Sequence, residues 1–202
     1  MRMLFPTALF SGKLSDLTAC DRIEKKLREM QKAGEGGSQD YIYSTPDDIQ
    51  TRPEMQELVD VIMNESGQIL DIYKVQRDSH YITNMWANIT HPNHRHHMHI
   101  HPNCFLSGIV YIKAPKDCGP TLFSDPKLNA KMIEPTYTEM NAHNTSQIVT
   151  PAEKGRMLIW PSYLPHAVEY GTAKEDEDRI VVAFNIMIRG LIDRRTARLE
   201  LK

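Results

Sequence analysis

No run of about 18 apolar residues occurs in the chain, and its first residues, Met1-Arg-Met-Leu-Phe-Pro-Thr7, lack the long apolar segment of a secretion signal. A soluble intracellular protein is expected, with no membrane partner. Cysteine is scarce. Cys20, Cys104 and Cys118 are odd in number and show no CxxC spacing, which argues against a disulfide framework and a zinc-thiolate site and for a reducing compartment. Long blocks of one charge are also missing: 24 Lys and Arg face 26 Asp and Glu, a formal net charge of -2. Nucleic acid is therefore not an expected partner. The acidic run Glu175-Asp-Glu-Asp178 reads as a solvated loop. There is no internal repeat, and no linker that would divide domains.

What is present suffices for one globular domain over residues 1–202, since 41% of the residues are hydrophobic and 25% charged. The first 79 residues read as mainly helical support. Ser15 or Asp16 can cap a helix to about Lys32 in which Leu17, Ile23, Leu27 and Met30 recur at helical spacing, and Gly34, Gly36 and Gly37 stop it. A second helix follows Thr51 and Pro53, carries Met55, Leu58, Val59 and Ile62 on one face, and continues, bent near Gly67, to about Tyr73.

From His80 onward the pattern changes to short β-rich runs: 81–89, 105–113, 121–124, 156–160 and 180–188. Helices first and strands afterwards predict an α+β protein, with a jelly-roll core over 80–190, the N-terminal helices packed on one sheet, and a C-terminal tail from 191 to 202. The polar stretch from Pro126 to about Ser146 has little periodicity and is expected to be a flap over a site. A homodimer that uses a strand edge and the charged tail from Asp193 to Lys202 stays open.

Six of the nine histidines, His91, His94, His96, His97, His99 and His101, fall within eleven residues. On a strand, His97, His99 and His101 would share a face, because side chains alternate with period two, and neighbouring imidazoles there can chelate one metal. Imidazole suits iron, zinc, copper and nickel, so the run does not choose the metal; a solvated His-rich loop is the alternative. The part from His91 to His97 reads as a metal-recruiting vestibule, a pH-sensitive lip or an ordinary wet loop.

A third ligand is suggested by His166, which begins a strand after the proline-bounded turn Pro161-Ser-Tyr-Leu-Pro165. Arg179 opens the next apolar strand, where a buried guanidinium needs an anionic partner, and a ligand carboxylate can pair with it bidentately. Tyr111 can offer its hydroxyl to the same anion or serve as a core aromatic. Phe105, Trp86 and Trp160 are wall candidates, with core the favoured role for both tryptophans.

These residues resemble the superfamily of Fe(II)- and 2-oxoglutarate-dependent oxygenases related to prolyl hydroxylases, in particular a small branch common in marine bacteria and their viruses. The resemblance is carried in order by Leu4-Phe-Pro-Thr7, Trp86-Ala-Asn88, His99-Ile-His-Pro-Asn-Cys-Phe-Leu-Ser-Gly-Ile-Val-Tyr111, Leu122-Phe-Ser-Asp-Pro126, Pro161-Ser-Tyr-Leu-Pro-His166 and Arg179-Ile-Val-Val-Ala-Phe-Asn185. It implies a double-stranded β-helix with ferrous iron and 2-oxoglutarate as cofactors; the location expected from the cysteines and the missing signal segment is cytoplasmic, that of the host cell if the protein is viral. It also implies that His99, His101 and His166 hold the iron and that Arg179, Tyr111 and Asn185 attend the cosubstrate.

The chain departs from the superfamily in two places. His101 stands where a carboxylate is usual, so three ligand sets compete: three histidines, which is favoured; two histidines and water; or a carboxylate from elsewhere, with Asp125 the nearest named residue. Val181 stands where the branch has a serine. The activity implied is hydroxylation of a peptide or small molecule, coupled to conversion of 2-oxoglutarate to succinate. The alternatives are a cupin-like three-histidine oxygenase that needs no 2-oxoglutarate and a non-catalytic jelly-roll metal binder. Ligation by neutral imidazole predicts that metal affinity falls below about pH 6.5.

Overall fold

The structure is a computed structural model describing residues 5–39, 42–91, 94–127, 135–141, 143–174, 177–194 and 196–202. Strand β1 (Phe10–Lys13) precedes helix α1 (Thr18–Lys32), the short strands β2 (Gly37–Gln39) and β3 (Ile42–Ser44), and helix α2 (Gln56–Ile72). The body follows as β4 (Ser79–Thr90), β5 (His96–His99), β6 (Leu106–Lys113), β7 (Thr121–Ser124), β8 (Gln147–Thr150), β9 (Arg156–Pro161), β10 (His166–Val168), β11 (Arg179–Arg194) and β12 (Ala197–Leu201). The large sheet runs β1-β9-β6-β11-β4-β3-β2, with β12 on the far end of β11, and the small one β5-β10-β7-β8. Every named pairing within them is antiparallel. This is the expected double-stranded β-helix.

Residue parity divides the core. On β11, Ile180, Val182, Phe184 and Ile186 join Ile23, Leu27 and Met30 of α1 and Leu58, Ile62 and Ile69 of α2 in one apolar cluster. The odd-numbered Val181 belongs to a second cluster with Tyr111, Phe123, Leu158 and Trp160, between the two sheets. Strand β9 alternates likewise, Met157 and Ile159 toward the helices and Leu158 and Trp160 toward the small sheet. A large sheet covered on both faces explains why its central strands read as continuous apolar runs. Any slip by one residue would exchange the two faces, so the burial of both fixes the register.

Both helices start later than their first signals, and Leu17 is left exposed while Asp16 accepts the backbone N–H of Thr18 at 2.8 Å. α1 ends where Gly34 adopts φ +73°. α2 runs on to Ile72, and at Gly67 an added Cβ would lie 3.2 Å from the His80 ring on β4. Among the described residues no helix is long and apolar enough to cross a membrane.

The first 79 residues also supply β1, β2 and β3 to the large sheet. The strands missed in the sequence lie at sheet margins. β2 is Gly-Ser-Gln and fully exposed, and β8 edges the small sheet with three exposed residues out of four, so neither carries an apolar alternation. At the centre the packing is intolerant: a Cβ on Gly108 of β6 would sit 2.3 Å from Cζ of Phe184 and 2.7 Å from the Leu158 carbonyl oxygen. Gly108→Ala should therefore cost about 1–3 kcal/mol of stability, read as a lower urea midpoint at unchanged slope.

Candidate metal and cosubstrate site

The site lies between the sheets, where residues of both point inward. On β11, pairing with β4 sets Arg179 opposite Thr90, Val181 opposite Asn88 and Ala183 opposite Trp86, and all six line one cavity. The small sheet faces them with His99 and His166, which are direct partners across β5 and β10. His101 lies two residues beyond β5, its backbone N–H donating to the Ser162 carbonyl at 3.0 Å.

His99, His101 and His166 place ring nitrogens within 4.8 Å of one another, and no carboxylate belongs to this group among the described residues. Ring centroids are 4.2 Å apart for His99 and His166, 5.0 Å for His101 and His166, and 5.1 Å for His99 and His101. Each ring spends its Nδ1 on an oxygen: His99 on the His97 carbonyl at 2.7 Å, His166 on the Leu164 carbonyl at 3.0 Å, and His101 on Oδ1 of Asn185 at 2.6 Å. Carbonyl oxygens only accept, so Nδ1 carries the proton in all three rings and each Nε2 keeps its lone pair. A neutral imidazole with its second nitrogen tied down is the form in which histidine ligates metals. The donor set therefore fits a divalent ion such as iron, with coordination positions left over.

Burial favours the neutral form of His166 and His101. Desolvation pushes the His166 pKa down to about 3, and burial likewise lowers that of His101, partly offset by its bond to Asn185. The threshold near pH 6.5 expected from free imidazole thus does not apply to these two rings, which take up protons only at lower pH. A stability effect follows in the metal-free protein. Between pH 6.5 and about 3 the unfolded state takes up a proton on His166 that the folded state does not, so stability falls as pH falls through that window. From pH 6.5 to 5 this residue should remove on the order of 2 kcal/mol, and in His166→Gln that part of the slope should vanish from urea titrations.

Arg179 is 4% exposed, and among the described residues its Nε and Nη2 have no hydrogen-bond partner. Its guanidinium lies 5.1 Å from the centre of the Tyr111 ring. A buried guanidinium with unsatisfied N–H groups is costly unless an anion meets it, and it borders the same cavity as the three imidazoles. That fits an anionic cosubstrate. Tyr111 turns its hydroxyl to Oγ1 of Thr121 at 2.6 Å, and it is Thr121 that borders the cavity. Asn185 does not line the cavity but stands behind His101.

Trp86 corrects its expected core role: it is half-buried, lines the cavity and stacks on His101 with centroids 6.0 Å apart. The signal was the polar parity of β4, because Trp86, Asn88 and Thr90 share one face while Met85, Ala87 and Ile89 share the other. Trp160 combines both roles, 1% exposed and edge-on to His166 at 4.7 Å. Phe105 is no wall of this cavity. It packs on Tyr73 and borders a separate groove with Val75 and Leu191.

Within the His-rich run, His94 and His96 line the mouth while His97 is exposed. Asp125 accepts the backbone N–H of Lys127 at 2.9 Å. The expected flap leaves β7 and rejoins β8 across the Asp125 N–H and the Ser146 carbonyl, 2.8 Å apart; its residues 128–134 and 142 lie outside the described ones, as do Glu175 and Asp176.

Residues 84–185, just over half the chain, match the model of a family described as "Putative 2OG-Fe(II) oxygenase". No curated protein matches. Among solved structures, a prolyl-4-hydroxylase from Pseudomonas putida superposes with a TM-score of 0.63 at 10% identity, covering 91% of this chain and 94% of the other. The epimerase SnoN in complex with Fe3+, alpha ketoglutarate and nogalamycin RO gives 0.67 at 10%, covering 97% and 82%. HygX from Streptomyces hygroscopicus, with nickel and 2-oxoglutarate bound, gives 0.60 at 12%, covering 95% and 88%. Identities this low establish a shared fold.

Proposed function

Because the chain belongs to the 2OG-Fe(II) oxygenase family, we propose that it is a hydroxylase whose iron is held by His99, His101 and His166 and whose 2-oxoglutarate is anchored by Arg179. The observation that carries this reading is the buried guanidinium of Arg179, whose Nε and Nη2 meet no hydrogen-bond partner among the described residues, in the cavity of the three imidazoles.

When bound, iron and cosubstrate supply oxidative decarboxylation: one atom of O2 enters succinate, the other enters a substrate C–H bond as hydroxyl, and carbon dioxide leaves. The chain's own residues position and enclose. Arg179 meets the far carboxylate of 2-oxoglutarate with a planar fork that matches it, and Tyr111 backs the guanidinium. Trp160 and Trp86 flank His166 and His101 with apolar surface, which limits water at the reacting centre. His94 and His96 stand at the mouth, where a peptide or small molecule would enter.

Three neutral ligands leave the full charge of a divalent ion for a dianionic cosubstrate to balance. The test is succinate formation from 2-oxoglutarate under oxygen, with Fe(II) added to protein freed of metal. Iron-dependent succinate supports the reading, and 18O from O2 in the product of any accepted substrate would establish hydroxylation. Loss of 2-oxoglutarate without 18O transfer would leave an oxygenase of another outcome.

A further inference from the structure

We infer that Asn185 is the positioning residue that makes His101 a metal ligand in the place where a carboxylate is usual; this rests on the three-histidine reading above. His99 and His166 are oriented locally, each Nδ1–H returning to the carbonyl two residues earlier, that of His97 in β5 and that of Leu164 in the turn before β10. Almost any sequence supplies those carbonyls. His101 lies beyond the end of β5, and its ring proton goes instead to a side chain 84 residues away, Oδ1 of Asn185 at 2.6 Å. Its orientation therefore depends on which residue stands at position 185.

The amide is itself held so that oxygen faces the imidazole. Nδ2 of Asn185 donates to Oδ1 of Asn84 at 2.8 Å, and that oxygen also accepts from Oγ1 of Thr83 at 3.0 Å. Oδ1 of Asn185 accepts from Oγ of Ser107 at 2.8 Å as well as from His101. Ser107, having given its only proton to Asn185, accepts in turn from Ser162 at 2.8 Å. With Nδ2 committed to Asn84, the amide can only accept from His101. The His101 proton is thereby fixed on Nδ1 and its Nε2 lone pair turned toward the other two rings.

Residue parity supports the assignment. Asn185 stands on the same face of β11 as Arg179, Val181 and Ala183, which line the cavity, but one step deeper, behind the ring and 8% exposed. An amide does this without adding charge. A carboxylate at this position would hold the same proton yet place a negative charge beside the ligand and oppose the dianionic cosubstrate.

The first test needs no variant. In the metal-free protein, 15N-resolved NMR of the histidines should find His101 as the Nδ1-protonated tautomer; an Nε2-protonated ring, or an even mixture, overturns the inference. The second uses Co(II) as an air-stable probe. Asn185→Leu should weaken Co(II) binding about 10- to 100-fold, while Asn185→Asp, which keeps the acceptor, should hold it within a few-fold and weaken 2-oxoglutarate several-fold. Wild-type Co(II) affinity in a folded Asn185→Leu protein, or an equally large loss in Asn185→Asp, would overturn it. If His101→Ala leaves Co(II) affinity intact, the three-histidine reading fails and this inference with it; if His101→Ala weakens binding and Asn185→Leu does not, only the role of Asn185 fails. Should Asn185→Leu not fold, the wild-type tautomer and Asn185→Asp decide.

Discussion

Arg179→Leu should raise the dissociation constant for 2-oxoglutarate by at least about 30-fold while leaving Fe(II) affinity near that of the wild type. The size follows from the usual cost of removing one partner of a buried charge pair, about 2–5 kcal/mol, each 1.4 kcal/mol being tenfold. The selectivity follows from position, because Arg179 borders the cavity but is not one of the three clustered imidazoles. A second consequence has the opposite sign. In the metal-free, ligand-free protein the guanidinium keeps Nε and Nη2 without partners among the described residues, a desolvation cost that the Tyr111 ring only partly offsets. Leucine removes that cost, so the variant should be at least as stable as the wild type in urea titrations. Calorimetric titration with 2-oxoglutarate and a denaturation curve check both; unchanged cosubstrate affinity would remove Arg179 from the site.

His166→Ala should lose Fe(II) affinity by more than about 100-fold, since even the outer partners of metal ligands are worth 10- to 100-fold. The residue is 6% exposed, between Trp160 and His99. Succinate formation should fall with it. Full iron binding by this variant, measured with a chelator competition, would mean that the metal sits elsewhere.

Much of the fold and site was legible in the sequence because two periodicities carried it. The period of two sorts the odd and even positions of Arg179 to Ile188 into two faces, and it puts His99 and His166 on strands, which meet in the small sheet. The family resemblance named the cofactors, and the family match bears that out. It also sets aside the rivals that do without 2-oxoglutarate.

What was not legible depends on contacts across the sheet. An isolated tryptophan usually lies in a core, yet the polar residues at 88 and 90 on its own face mark Trp86 as a cavity wall. Asn185 travels with Arg179 in the motif, and only the register of β11 against β6 and β4 brings it beside Ser107 and Asn84, behind His101. Phe105 follows the histidine motif closely in sequence, yet the chain turns between His101 and Leu106 and carries it to another surface.

The central claim is that one cavity holds iron on three histidines and 2-oxoglutarate on Arg179. Its most direct test is anaerobic titration of the Fe(II)-loaded protein with 2-oxoglutarate, watched for the visible charge-transfer absorption that chelation of this cosubstrate to ferrous iron produces. The account predicts a saturable band in the wild type, a band needing much more 2-oxoglutarate in Arg179→Leu, and none in His166→Ala. Iron bound by the wild type with no band at any 2-oxoglutarate concentration would contradict it.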